Sequence, residues 1–159
     1  MPNTAIYPGS FDPFTYGHLD IVRKSARLFD RVYIVLGVNT AKKRAFDCEG
    51  MKRAIEETLH QEGLDNCEVC IHDGLVAVFA AERSIGYMIR GLRNSLDYNY
   101  EENIAEVNNL INPDLEYVYF RADNVAVSSS MVRELLSFGR DVSKYVPRPV
   151  IAMLEQGED

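Results

Sequence analysis

The sequence predicts an α/β protein, a single domain built on a five-stranded parallel sheet with helices on both faces. Three observations predict it. Strand-like and helix-like segments alternate along the 159 residues, and single helices between strands make βαβ units, whose strands lie parallel. The run RVYIVLGV, residues 31–38, is apolar without alternation, as expected of a strand covered on both sides. No repeat, low-complexity tract or Pro/Gly/Ser linker divides the chain, and its length suits one domain.

AIY, residues 5–7, is a short first strand. Residues 18–30 place Leu19, Val22, Ala26 and Phe29 at helical spacing. The second strand is 31–38, and residues 49–63 form a helix closed by Gly63. CEVCIH, 67–72, is the third strand, 75–83 a short helix, and YMIRGL, 87–92, the fourth strand. A long helix over 95–112 stops at Pro113, and EYVYF, 116–120, is the fifth strand. Residues 128–139 read as a helix with serines at its start and Gly139 at its end, and the tail 146–156 begins with prolines and turns helical.

The composition is 47% hydrophobic and 26% charged, ordinary for a globular protein with a real core. A net charge of −7 argues against a general nucleic-acid binder, which needs a basic face, but permits a small phosphorylated ligand. No apolar run approaches the roughly 20 residues that span a bilayer, so no membrane partner is expected. The first residues lack the pattern of a secretory leader. The odd cysteine count, Cys48, Cys67 and Cys70, favours reduced thiols and a cytoplasmic setting. Cys67 and Cys70 have C-x-x-C spacing, but no second ligand pair completes a zinc site. Two thiols in or beside a strand are the expectation.

In parallel sheets, ligands bind beyond the carboxyl ends of the strands, so four post-strand segments carry the information. In YPGSFDPFTYGH, residues 7–18, Gly9 lets a ligand approach the backbone or takes an unusual dihedral, and Gly17 does the same before His18. His18 opens a helix, whose free N–H groups and positive end seat a phosphate. The dipole keeps the imidazole neutral, and a neutral imidazole still donates a hydrogen bond. Lys42, Lys43 and Arg44 follow the second strand, and one lysine there can reach a phosphate whose charge moves. Arg90 and Arg93 suit a fixed bidentate grip on phosphate, although Asp97 and Glu101 stand near enough in sequence to pair with one of them. Glu101 can instead accept from a ribose. Ser128, Ser129 and Ser130 cap a helix with help from Glu134, and with Arg133 they offer a phosphate cradle.

The inventory holds no nucleophile paired with a base, no metal-ligand cluster, and no GxxxxGK[ST] or GxGxxG. It fits transfer between phosphate groups by positioning and charge stabilisation.

GSFDPFTYGH resembles the T-x-G-H form of the nucleotidyltransferase signature, with Thr15 and His18 at its ends, and VSSSMVRE resembles the ISSTxxR signature. NTAKK and IRGLRNSLDYNYE narrow the resemblance to the phosphopantetheine adenylyltransferases, over nearly the whole chain. The resemblance implies a Rossmann-like nucleotidyltransferase fold. It implies transfer of the adenylyl group of ATP to 4′-phosphopantetheine, giving dephospho-coenzyme A and pyrophosphate by in-line attack. His18, Ser10 and Lys42 would be the catalytic residues. Phe11, Gly91, Leu92, Arg93, Glu101, Asn124, Val125, Ala126, Val127, Ser128, Ser129 and Ser130 would join Ser10 and His18 in holding ATP. Lys42, Val76 and Arg90, with Ser10, would hold phosphopantetheine, with the backbone near Leu75 along its arm. Mg²⁺ would ride on the triphosphate, coenzyme A would inhibit as feedback product, and the assembly would be a homohexamer. Ser10 stands where the family has threonine, the loop before Ser128 is short and lacks an aromatic residue, and FDCEGMKR departs from FTLEER. The competing readings are a relative with another acceptor (nicotinamide mononucleotide or glycerol phosphate), a non-catalytic nucleotide-binding module, and an interaction protein on the same fold.

Overall fold

The computed structural model describes residues 2–38, 43–93, 95–122 and 127–156. The elements run β1 Thr4–Gly9, α1 Tyr16–Leu28, β2 Arg31–Gly37, α2 Cys48–Gln61, β3 Cys67–His72, α3 Val76–Glu82, β4 Tyr87–Leu92, α4 Ser95–Ile111, β5 Glu116–Arg121, α5 Ser129–Ser137 and α6 Arg148–Gln156. This is the expected order. The first strand outruns its apolar AIY centre, because the ladder with β2 continues from Thr4↔Arg31 to Gly9↔Leu36.

The five strands form one parallel sheet in the order β3-β2-β1-β4-β5. Side-chain alternation splits the apolar residues between its faces. Ala5 and Tyr7 join Val32, Ile34 and Leu36 in a large core under α1, α2, α5 and α6. Ile6 and Val35 point the other way, into a smaller core with Phe79, Ala80, Ile85 and Met88 on the α3 side. The C-x-x-C pair obeys the same alternation. Cys67 packs on the first core and Cys70 on the second, so the thiols face opposite sides of the sheet and both are free. Burial pushes the Cys67 thiol up to about 11, which suits inert packing rather than redox chemistry. Among the described residues no helix is long and apolar enough to cross a membrane.

Beyond β1 the sheet order switches direction, with β2 on one side and β4 on the other. Such a switch point opens a crevice beyond the strand ends. The helix that borders it, α1, begins two residues before His18. Thr15 is the cap: its backbone is extended and its hydroxyl accepts from the His18 N–H at 3.3 Å.

Candidate active site

The cavity at the switch point has a volume of about 360 Å³ and is walled by the ends of β1 and β4 and the first turns of α1 and α5. Ser10, His18, Arg90, Arg93 and Ser129 reach it from those elements and the residues that directly follow the strands, and Glu101 reaches it from α4. A second cavity, of about 550 Å³, opens on the β2 side and is bordered by Gly37, Lys43, Arg44 and Arg133. Ser10 lies on the boundary and lines both.

His18 is held in one orientation and one tautomer. The Thr15 N–H donates to its Nδ1 at 3.0 Å, closing a reciprocal capping box with the threonine hydroxyl. Since Nδ1 accepts from a backbone N–H, the neutral ring carries its proton on Nε2 and is a donor there. Phe14 stacks on the ring with centroids 5.5 Å apart, and Phe11 meets it edge-on at 4.9 Å. Burial among these aromatics lowers the imidazole pKa from 6.5 to about 4, and the Arg90 charge adds to the effect. The imidazole is neutral, as the sequence suggests, but the main cause is burial rather than the helix dipole.

Arg90 is committed on two sides. Its Nε and Nη2 donate to the two Glu101 carboxylate oxygens, both at 2.8 Å, and its Nη1 donates to the Pro8 carbonyl at 2.8 Å. The Glu101 side chain is only 8% exposed, so the pair is one rigid unit with donor capacity left on the guanidinium. Arg93 pairs with Asp97 at 2.9 Å near the surface, and its hydrogen bond holds the Asp97 carboxyl below the usual carboxylate range.

Known proteins fit this architecture. A cytidylyltransferase-like family model matches residues 6–135. The phosphopantetheine adenylyltransferase of Lacticaseibacillus casei is 44% identical over 154 residues, covering 94% of this chain and 90% of that protein. The protein of the same name from Cytophaga hutchinsonii is 44% identical over 149 residues, covering 92% and 98%. The chain belongs to the phosphopantetheine adenylyltransferase family. The fold is shared more widely. The crystal structure of a Vibrio parahaemolyticus protein provisionally assigned as a nicotinate-nucleotide adenylyltransferase superposes with a TM-score of 0.72 at 17% identity, over 98% of this chain and 93% of that one.

The expected site residues of this chain fall into three groups. The first reaches the main cavity: Ser10, His18, Arg90, Arg93 and Glu101, with Phe11, Gly91, Val127, Ser128 and Ser129. Ser128 is the α5 cap and its hydroxyl accepts from the Met131 N–H at 3.1 Å, while the N–H groups ahead of Met131 in the first turn have no acceptor within the helix. The Ser130 hydroxyl lies 3.3 Å from that of Ser128. The second group is elsewhere. Val76 opens α3 and packs on the smaller core, Leu75 before it is exposed, and Leu92 lends its carbonyl to the Ala122 N–H. The third, Lys42, Asn124, Val125 and Ala126, lies outside the described residues.

Several local expectations change. The space above Gly9 is taken by the Phe11 ring, 3.0 Å from where a Cβ would stand, so the glycine makes room for that ring at the edge of the cavity. At Gly17 a Cβ would sit 3.3 Å from the Val127 carbonyl, so that glycine admits a neighbouring backbone. The Phe11 ring is buried and its carbonyl accepts from Arg44, so neither stands open to a ligand. Both arginine–acid pairs form, not one. Arg133 turns from the serine cradle and donates to the Asp12 carbonyl at 2.7 Å. Glu134 lies too far along α5 to share the cap, which is completed by Ser128 and Met131. Sequence reasoning missed Asp12, whose buried carboxylate accepts from the Ala45 and Phe46 N–H groups at 2.8 and 3.0 Å. The signal was an acid locked between Phe11 and Pro13 in a turn, where a charge needs partners.

Proposed function

We propose that the chain transfers the adenylyl group of ATP to 4′-phosphopantetheine, giving dephospho-coenzyme A and pyrophosphate, in one in-line step without a covalent enzyme intermediate. A phosphate oxygen of the acceptor attacks the α-phosphorus, and the bond from that phosphorus to the β-phosphate oxygen breaks as pyrophosphate leaves. The observation that carries the reading is His18. A neutral imidazole with Nδ1 engaged by the Thr15 N–H has one free donor, Nε2–H, beside the cavity. It stabilises charge that builds on the α-phosphoryl oxygens without having to move a proton.

Around it, Ser10 and Lys42 would hold the acceptor phosphate and the transition state, with the Arg90–Glu101 unit fixing that phosphate in place. ATP would lie over Phe11, Gly91, Leu92, Arg93 and Glu101 toward residues 124–130, its phosphates on the α5 N-terminus. The pantetheine arm would run toward Leu75 and Val76. Mg²⁺ would arrive on the triphosphate, neutralising part of its charge. Asp97 and Glu101, the acids lining the cavity, are tied to arginines. Coenzyme A as feedback inhibitor, a homohexameric assembly and a cytoplasmic setting belong to the same reading.

The test is pyrophosphate release from ATP and Mg²⁺ with 4′-phosphopantetheine, with nicotinamide mononucleotide and glycerol 3-phosphate in parallel and the product identified by mass. Release with 4′-phosphopantetheine alone supports the reading. Release only with another acceptor overturns the acceptor, and none with any overturns catalysis.

A further inference from the structure

The loop between β1 and α1 is tied down at four successive carbonyls. Arg44 donates to the carbonyls of Ser10 and Phe11, Arg133 to that of Asp12, and the Ser129 hydroxyl to that of Pro13. Arg44 comes from the β2–α2 loop, the other two from α5. Its Nε also donates to the Phe46 carbonyl at 3.1 Å, and its Nη2 lies 3.6 Å from the Asp12 carboxylate. The side chains of Arg44 and Asp12 are 15% and 11% exposed. Within this loop Phe11 has φ +45, a conformation a bulky residue keeps only when its surroundings hold it. Its ring is wedged over Gly9, and its carbonyl is gripped by Arg44.

From this geometry we infer that Arg44 is a positioning residue: by gripping the carbonyls of Ser10 and Phe11 it fixes the Ser10 hydroxyl on the boundary between the two cavities. Its role follows from shape. One planar fork reaches the carbonyls of Ser10, Phe11 and Phe46 from a single rotamer, and a lysine ammonium on its flexible stem cannot reproduce that span. Arg44 also joins the two halves of the crevice, since it leaves the chain two residues after Lys42 and ends on the loop that α5 holds from the other side. Removing it does not strand Asp12, whose carboxylate keeps its two backbone donors, so the fold survives. The kinetic consequence rests on the proposed adenylyl transfer; the structural one does not.

The experiment compares the wild type with Arg44→Met and Arg44→Lys, and reads three things. Pyrophosphate release with 4′-phosphopantetheine gives kcat and KM, calorimetry gives ATP affinity, and amide hydrogen exchange follows Ser10, Phe11 and Asp12. Arg44→Met is expected to exchange faster at those amides and to lose kcat by about ten- to a hundredfold, the cost of a small misplacement at a reacting centre. Its affinity for ATP should stay within about twofold, because His18 and the α5 N-terminus are untouched. Arg44→Lys should stay close to Arg44→Met. Full recovery in Arg44→Lys assigns the effect to charge alone and overturns the inference. Unchanged exchange at the three amides in Arg44→Met overturns it whatever the activity. A wild type that releases no pyrophosphate with this acceptor overturns the proposed reaction, while the exchange comparison still decides the role of Arg44.

Discussion

Changing His18 to Ala separates the two jobs given to its ring, and pH tells them apart. The imidazole pKa falls from 6.5 to about 4 in the folded protein. That gap of about 2.5 units corresponds to at most ~3 kcal/mol, less whatever water at the exposed edge of the ring recovers. The sign follows from which state binds the proton. Between pH 4 and 6.5 the unfolded chain protonates this histidine and the folded one does not. The stability it contributes is therefore full above pH 6.5 and is lost as pH falls through about 4. Geometry points the same way: a second proton would enter at Nδ1, where the Thr15 N–H already donates. The folded wild type should thus outlast His18→Ala in urea at pH 7.5, and that advantage should shrink by ~2 kcal/mol near pH 5. Loss of the Nε2–H donor should lower kcat by about a hundred- to a thousandfold at every pH, with ATP still bound. Imidazole NMR, assigned by the signal missing in the variant, should show His18 unmoved between pH 8 and 5. A midpoint near 6.5, or a wild-type rate that needs protonated His18, would refute the neutral-donor argument.

The other elements of the site make separate claims. Glu101→Gln leaves Arg90 with a neutral partner in a buried place; a urea titration should show a loss of ~3 kcal/mol, and the acceptor KM should rise more than that of ATP. Equal stability would mean that Arg90 finds another partner. Thr15→Val removes the hydroxyl that caps α1 and keeps the backbone N–H on His18. It should cost ~1 kcal/mol in thermal unfolding and leave kcat within about threefold, whereas a collapse of kcat would place the hydroxyl in the chemistry. Gly9→Ala drives a Cβ to 3.0 Å from the Phe11 ring. A destabilisation of ~1–3 kcal/mol is expected, and a variant as stable as wild type would show that the ring moves freely.

Much of this fold is readable from periodicity alone. The unbroken apolar run of β2 announces a strand covered twice, and Val35 indeed faces the opposite core from Ile34 and Leu36. The site is legible to the level of which loops matter, because the strand ends are fixed by the order of elements. Which arginine pairs with which acid is a matter of register. Arg90 meets Glu101 eleven residues away and Arg93 meets Asp97 four away, and helix α4 supplies both spacings only once its first turn is placed. The role of Gly9 was invisible for another reason. The positive φ of Phe11 folds its ring back over its own chain, and no pattern of residue types reports a single dihedral. Asp12 escaped notice because its partners are backbone N–H groups of Ala45 and Phe46, which any sequence supplies.

The ring of Phe11 resting in the space that Gly9 leaves makes these two positions a single unit of inheritance. A lineage drifting through single substitutions meets a barrier at either one. A side chain at Gly9 collides with the ring, and a smaller residue at Phe11 gives up the edge-on contact with His18. Only a paired exchange, bulk gained at one position as it is lost at the other, crosses without passing through a weakened ancestor. Deep selection for activity should therefore return variants at Gly9 in the company of a change at Phe11, and seldom alone.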